Sequence, residues 1–397
     1  MESTREHLYT QRLYPSVNNE DLLEFRMPAN SKGQLDLANV KLHFIADLHT
    51  PSDSAEILPE NYFGAKQFSS LEVRVNGEAV TRRSCSNEYF LSTYFQNYIN
   101  YSLDYQATAL TPLGIFDMSQ LKSAEIESFS EAKKGQLKSS RAQVTTSKEY
   151  EIIMPLDSTI FYSNDLLPSN TSLDLSFERA AASFSAIGLT ANIKCSNTPL
   201  ALTDCYLLLP FKKDEEMFRL ERNAIQRPLK VNFDDYVIRR FNVPKGTTSV
   251  MMSDIISGQL PEKIFWGLQT IYSYTGSYSI SSSRFARNDL VKSNLYIDGK
   301  SMDDYPLTMS SDHSCQPFVK FLSNTNQQLN NLMGKTISLL EYALFNYVLS
   351  ASISQPTGSL SFEFEFEREL SHDLVLIVLG VTERTMRLDH NRNFNIT

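Results

Sequence analysis

Ser371-His372-Asp373 sets the three residue types of a nucleophilic hydrolase side by side. A triad works because its members converge on one substrate atom from separate elements, and three consecutive residues cannot do so. The run reads as a turn between strands. Gly299-Lys300-Ser301 resembles the end of a phosphate-binding loop, but Asn294 stands where the first glycine belongs. Gly299 also follows Asp298 in a hairpin-like Asp-Gly, where a phosphate loop needs a strand-to-helix turn. Neither Gly-x-Gly-x-x-Gly nor Gly-x-Ser-x-Gly occurs in the chain. The six histidines (His7, His43, His49, His313, His372, His390) include no pair at the helical spacing of metal ligands, although His43 and His49 flank a strand end. Glu363, Glu365 and Glu367 form a row that a cation or a basic surface could meet, yet the wet face of one strand explains it fully. Cys85, Cys195, Cys205 and Cys315 are scattered, with no Cys-x-x-Cys pair, and read as reduced intracellular thiols. No catalytic, cofactor-binding or metal-ligating residue is assigned, no cofactor is expected, and the chain does not read as an enzyme.

The elements that would have to position such residues are strands. Gly358-Ser-Leu-Ser-Phe-Glu-Phe-Glu-Phe-Glu alternates without a fault: Leu360, Phe362, Phe364 and Phe366 on one side, Ser361 and the glutamates on the other. Leu374 to Leu379 is apolar on both faces, as in the central strand of a sandwich wall. Aromatics at 11 %, chiefly Phe and Tyr, favour the same class. A net charge of -9 argues against gripping nucleic acid, which needs surplus Lys and Arg. Met1 to His7 has no apolar core of a signal peptide, and no stretch approaches the ~20 apolar residues of a membrane helix. The sequons at Asn100, Asn170 and Asn395 therefore read as chance matches.

Taken in order, residues 1–20 read as a polar N-terminal arm, followed by strands at Leu23–Met27, Leu35–Leu37, Val40–Ala46 and Leu71–Val75, the last running into Asn76-Gly77. Residues 88–105 carry Tyr94, Tyr98, Tyr101 and Tyr105 at helical spacing, a core-facing stripe. The polar stretch 118–148 reads as a long surface loop. Strands resume at Tyr150–Met154, Ser172–Arg179 and Cys205–Leu209; the charge-dense 212–224 reads as a linker. Beyond it come Val237–Phe241, Ile264–Leu268, Leu295–Ile297, a helix over 335–350, and the closing strands.

The two parts rhyme. Leu71-Glu-Val-Arg-Val-Asn-Gly-Glu matches Leu295-Tyr-Ile-Asp-Gly-Lys, and Ser172-Leu-Asp-Leu-Ser-Phe-Glu-Arg matches the Ser359–Arg368 strand. The offsets differ, 222 residues from Gly77 to Gly299 and 187 from Ser172 to Ser359, and the 118–148 loop can absorb the difference. The order predicts an all-β fold of two tandem eight-stranded jelly-roll barrels, a double jelly roll, with short helices in the connecting loops. Expected domains are an arm over 1–20, a first jelly roll over 21–211, a linker over 212–224 and a second jelly roll over 225–397.

In that order the chain resembles the double jelly-roll major capsid (hexon) proteins of Polinton/Maverick elements and adintoviruses. The likeness runs through Leu23-Glu-Phe-Arg-Met-Pro with Gln34-Leu-Asp-Leu, and Phe68-Ser-Ser-Leu-Glu-Val-Arg-Val-Asn-Gly with Tyr89 and the tyrosine helix. It continues through Leu166-Leu-Pro-Ser-Asn-Thr-Ser-Leu-Asp-Leu-Ser-Phe-Glu-Arg-Ala with Phe184, then Pro244-Lys-Gly. Ser257-Gly-Gln-Leu-Pro-Glu-Lys-Ile-Phe-Trp-Gly-Leu, and Phe285 with Tyr296-Ile-Asp-Gly-Lys, complete it. The 118–148 loop and the Asn/Gln-rich 324–331 segment have no counterpart. The resemblance implies a homotrimer whose paired barrels make a pseudo-hexagonal capsomer, tiling an icosahedral shell with neighbouring capsomers and with single jelly-roll penton and minor capsid proteins. It implies a virion protein made in the host cytoplasm and assembled inside the cell, not secreted, with no direct sequence-specific nucleic-acid binding and no small-molecule substrate. The alternative is a non-viral or domesticated β-sandwich binding protein of lectin-like or trimeric-ligand type.

Overall fold

The computed structural model describes residues 7–29, 33–48, 57–81, 87–101, 110–115, 122–141, 148–163, 166–169, 171–190, 193, 198–213, 229–309, 314–325, 337–388 and 394–396. Its principal strands fall into two sets of eight. The first set is β1 (His7–Leu13), β2 (Leu22–Met27), β3 (Lys41–Asp47), β4 (Phe68–Val75), β5 (Glu78–Ala79), β6 (Glu149–Pro155), β7 (Leu173–Arg179) and β8 (Ala201–Lys213). The second is β9 (Leu229–Val243), β10 (Ser249–Gln259), β11 (Lys263–Thr270), β12 (Leu290–Ile297), β13 (Lys300–Ser301), β14 (Val348–Ser352), β15 (Thr357–Phe366) and β16 (Leu374–Leu388).

In the first set one sheet runs β1-β8-β3-β6 and the other β2-β7-β4-β5, all antiparallel. The second set repeats both orders eight strands later, as β9-β16-β11-β14 and β10-β15-β12-β13. Two four-stranded antiparallel sheets face to face make a jelly roll, and here there are two in tandem. Phe44 on β3 meets Phe68 on β4 across the first barrel at 5.7 Å between ring centroids. Trp266 on β11 meets Phe362 on β15 across the second at 5.0 Å.

The alternation in β15 does what its pattern dictates: Leu360, Phe362, Phe364 and Phe366 are buried while Glu363 and Glu365 stay partly exposed. β16 is central, between β9 and β11, and Leu374 to Leu379 are all fully buried. Both hairpins close with the tight turn whose twist suits strands, which needs positive φ at two residues running. Asn76 and Gly77 stand at 50° and 84°, Asp298 and Gly299 at 49° and 76°. β10 forms the outer edge of its sheet. Its register against β15 shifts between Met252 and Ile256, and Asp254 inside that shift has a φ of 55°.

Most of the described helix enters at one place in each strand order, between the hairpin and the sixth strand, with single helical turns elsewhere at Ala182–Ser185 and Ile271–Thr275. In the first barrel these are α1 (Glu88–Asn100), α2 (Ser123–Glu127) and α3 (Glu131–Arg141), between β5 and β6. In the second they are α4 (Cys315–Asn324) and α5 (Leu339–Phe345), between β13 and β14.

Four expectations are corrected. Within the 1–20 arm, His7–Leu13 is β1, paired with β8 from His7 opposite Lys213 to Leu13 opposite Leu207. Among its described side chains Tyr9 and Leu13 pack on the core, too few apolar points to mark a strand by alternation. The 118–148 loop contains α2 and α3, anchored by Ile126 and Leu137 in a small cluster with Leu58, Ile187 and Leu189. The helix expected over 335–350 stops at Phe345, and Val348–Ser352 pairs with β11 instead. Of the 212–224 linker, Lys212 and Lys213 end β8, and the remainder lies outside the described residues, as does 326–331 of the Asn/Gln-rich segment.

Candidate assembly surfaces

The side chains that invited chemistry are structural where they are described. Ser371, His372 and Asp373 form the turn from β15 into β16; Ser371 Oγ and His372 Nδ1 lie 2.7 Å apart, and the Asp373 carboxylate accepts the Lys245 backbone N–H at 2.7 Å. Gly299, with Asp298, turns β12 into β13, and Lys300 is the first residue of that strand. His43 is buried on β3 and ties it to both neighbours. Its Nδ1 lies 2.9 Å from the Asp204 carbonyl oxygen and its Nε2 2.9 Å from Glu151 Oε1. The ring stacks on Tyr206 of β8 at 4.2 Å, and Arg12 of β1 lies over that tyrosine at 4.5 Å. His7 opens β1, while His49, His313 and His390 lie outside the described residues.

The glutamate row is matched by β12. Tyr296 donates to Glu363 at 2.8 Å, and Lys292 donates to Glu365 at 2.5 Å. The Tyr296 hydroxyl, then Lys292 and Asn294, hold the Glu363 carboxyl below its ordinary range. Cross-strand pairing thus neutralises much of this outer wall. Cys205 is buried, which pushes its thiol up to about 11 and away from nucleophilic use; Cys315 is exposed, and neither is in a disulfide. Cys85 and Cys195 lie outside the described residues. Among the described residues no cluster of His, Cys, Asp or Glu is placed to hold a metal ion.

The concentration of buried polar and aromatic groups lies instead between the barrels. α1 is apolar on almost every side, with Tyr89 to Phe95, Tyr98 and Ile99 buried, so it must be covered all round. On one side it packs on its own barrel through Tyr89, whose ring meets Phe177 of β7 at 5.9 Å. On the other it packs on the second barrel. Tyr94 stacks on Phe285 at 5.2 Å and Tyr98 on Phe321 of α4 at 4.8 Å. Both hydroxyls end on one residue: Tyr94 donates to Asn346 Oδ1 at 2.8 Å, Tyr98 to the Asn346 carbonyl at 3.1 Å. Of the tyrosine stripe read from the sequence over 88–105, Tyr94 and Tyr98 are core packing as expected, and the core they pack is the seam; the helix ends at Asn100, Tyr101 follows it half-buried, and Tyr105 lies outside the described residues.

A charged knot crosses the same seam. Lys66, fully buried, donates to Glu60, which is 2 % exposed. Glu60 also accepts from Ser281 Oγ at 3.0 Å and from the Ser282 N–H at 3.2 Å, and Lys66 donates to Ser283 Oγ at 3.2 Å. Burial lowers the Lys66 ammonium from its usual range, opposed by the Glu60 charge. A buried ion pair gains little net stability, but it tolerates only the arrangement that satisfies it. It therefore fixes how the second barrel docks on the first. α2 adds Glu125 to Arg284 at 3.2 Å, and the Ser123 N–H donates to the Ser279 carbonyl at 2.9 Å. Asp157 lies on the first-barrel side of the seam under α1, bonded to the side chains of Thr93 and Asn97, and burial pushes its carboxyl up to about 7. Tyr162, five residues on, meets Tyr236 of β9 edge-on at 5.1 Å. Sequence reading did not single out Glu60, Lys66 or Asp157, because nothing local to a lone charged residue announces a partner distant in the chain.

No protein-family profile matches the chain, and no curated protein matches it in sequence. Solved structures match throughout its length. A chain of the Sputnik virophage structure has a TM-score of 0.63 at 12 % identity, covering 98 % of this chain and 88 % of that one. A chain of the PBCV-1 virus capsid has a TM-score of 0.59 at 11 % identity, covering 100 % and 98 %. The mavirus major capsid protein has a TM-score of 0.55 at 9 % identity, covering 98 % and 90 %. With two tandem jelly rolls and nearly the whole chain matched, this protein has the double jelly-roll fold of viral major capsid proteins.

Proposed function

We propose that this chain is a major capsid protein, a structural block of an icosahedral virion shell and not a catalyst. The observation that carries the reading is the seam. A first jelly roll from His7 to Lys213 and a second from Leu229 to Ile396 are joined through buried aromatic rings and through a buried ion pair of the first that bonds to serines of the second, so that the two move as one block. Two barrels of like strand order in one block, taken three times, present six similar edges, the number that hexagonal packing needs. The full-length likeness to the PBCV-1 capsid chain and to the mavirus major capsid protein supports the same role, and the latter supports a Polinton/Maverick type. In this reading the partners are two further copies in a trimer, neighbouring capsomers, and single jelly-roll penton and minor capsid proteins. Assembly takes place inside the host cell. The net charge of -9 suits a wall that does not itself hold the genome.

The test is the mass of the purified chain in solution, followed by electron microscopy after mixing with a penton partner. The expected results are a trimer of three times 45.2 kDa and closed particles. A strict monomer with a small molecule held in one barrel would favour the lectin-like reading.

A further inference from the structure

We propose that Lys66 and Glu60 condense after folding into an amide, a covalent bond that only a chain with docked barrels can make. The pair is dry. Lys66 is 0 % exposed and Glu60 2 %, the Phe90 ring lies 5.0 Å from Lys66 Nζ, and Nζ donates directly to Glu60 Oε2. Glu60 Oε1 has no hydrogen-bond partner among the described residues. A charged oxygen left bare in the interior is costly, and a buried ion pair offsets its lost water only where every lone pair is met. An amide carries neither charge. Burial, the largest influence on Lys66, favours the uncharged amine that a nucleophile needs; the Glu60 charge opposes it and the Arg141 guanidinium reinforces it.

Condensation also needs a path for protons, and the second barrel supplies one. Lys66 Nζ donates to Ser283 Oγ at 3.2 Å, Ser283 Oγ and Ser281 Oγ lie 3.1 Å apart, and Ser281 donates to Glu60 Oε2 at 3.0 Å. The two hydroxyls thus form a relay from the nitrogen to the carboxyl oxygen. The Ser282 N–H, 3.2 Å from Oε2, holds the carboxyl against it. A first proton passes from the ammonium to Oε2, leaving an amine and a carboxylic acid. The nitrogen lone pair then attacks Glu60 Cδ, and a second proton follows the relay to Oε2. The Cδ–Oε2 bond breaks and one water leaves. Oε1 remains as the amide carbonyl oxygen, Nζ keeps its third hydrogen, and the step needs no further reactant. Glu60 and Lys66 belong to the first barrel and the serines to the second, so the relay exists only where the seam is closed. The bond marks chains whose barrels have docked, and it does not depend on the capsid role.

The wild-type chain, purified and kept folded, should weigh one water less than its sequence by intact mass spectrometry. Trypsin digestion of the denatured chain should leave the peptide Leu42–Arg74 whole, because an acylated Lys66 is no longer a cleavage site. Fragment ions should place the missing water between Glu60 and Lys66. Lys66→Met should have its full mass. Ser281→Ala combined with Ser283→Ala, with a wild-type circular dichroism spectrum, should convert about a hundredfold more slowly or less, the usual worth of a positioned proton relay. A wild-type chain of full sequence mass that trypsin cuts after Lys66 overturns the proposal, whatever the variants do. A missing water that maps elsewhere overturns it as well, and so does a folded serine variant that converts at the wild-type rate.

Discussion

Asp157 is the residue where the seam becomes sensitive to acidity. Its carboxyl is moved up from 3.8 to about 7, first by loss of water, against hydrogen bonds from Thr93 and Asn97 that favour the charge. The folded chain therefore holds a proton that the unfolded chain releases near its ordinary value, and stability must fall as pH rises between the two. The contribution is complete below about 4 and is lost as the pH rises to and through about 7, at about 1.4 kcal/mol for each unit crossed. Asp157→Asn should remove one proton's worth of that slope. Urea unfolding of both proteins from pH 4 to 8 measures it, and parallel curves would show that Asp157 ionises freely. Glu363 works in the opposite sense: held low by Tyr296 and Lys292, it adds stability above its unfolded range that is lost as acid protonates it. The pH dependence of the intact chain is thus a contest between an interior carboxyl that prefers acid and a wall carboxylate that prefers neutrality.

At the scale of elements, the two hairpins give the most direct test of the repeat. Gly77 and Gly299 both have positive φ, and a methyl group added at either would meet nothing within 4 Å, so the cost of alanine is backbone strain alone. Each Gly→Ala change should cost about 1 kcal/mol, and the double change about the sum, because the turns belong to different barrels. Chemical denaturation reads all three. These turns were legible in the sequence because Asn-Gly and Asp-Gly name their own geometry. β15 was legible because four buried apolar residues alternate with polar ones. β1 was not, since among its described side chains Tyr9 and Leu13 supply the core contacts and its place is set by pairing with β8, a partner about 200 residues away in the chain. α2 and α3 were hidden for a related reason. A polar helix with one buried apolar anchor, Leu137, and a buried Arg141 that donates to the Pro59 carbonyl, owes its position to residues from elsewhere, Leu58 and Ile187 among them. The seam stood half in view: its tyrosines announced a buried stripe, while Glu60 and Lys66 gave no sign of the serines they would meet.

At the scale of the whole molecule, the seam makes two similar barrels one object. Its rings lose their partners, and the Glu60–Lys66 pair the serines that satisfy it, if either barrel opens alone, and an under-satisfied buried charge is costly. The chain should therefore melt in a single calorimetric transition, with calorimetric and van't Hoff enthalpies in agreement, and two separated peaks would mean that the barrels are independent. The edge strand β10 matters at this scale as well. Shell proteins act crowded together, and a straight, open strand edge is a template on which further copies can add by backbone pairing, without limit and without curvature. The extra residues between Met252 and Ile256, with Asp254 turned into the left-handed region and bonded back to Ser359, break that template in mid-strand. Chains held at high concentration are thereby steered away from ribbon growth, and in the shell role proposed above only contacts of fixed size and angle would remain for building a closed particle.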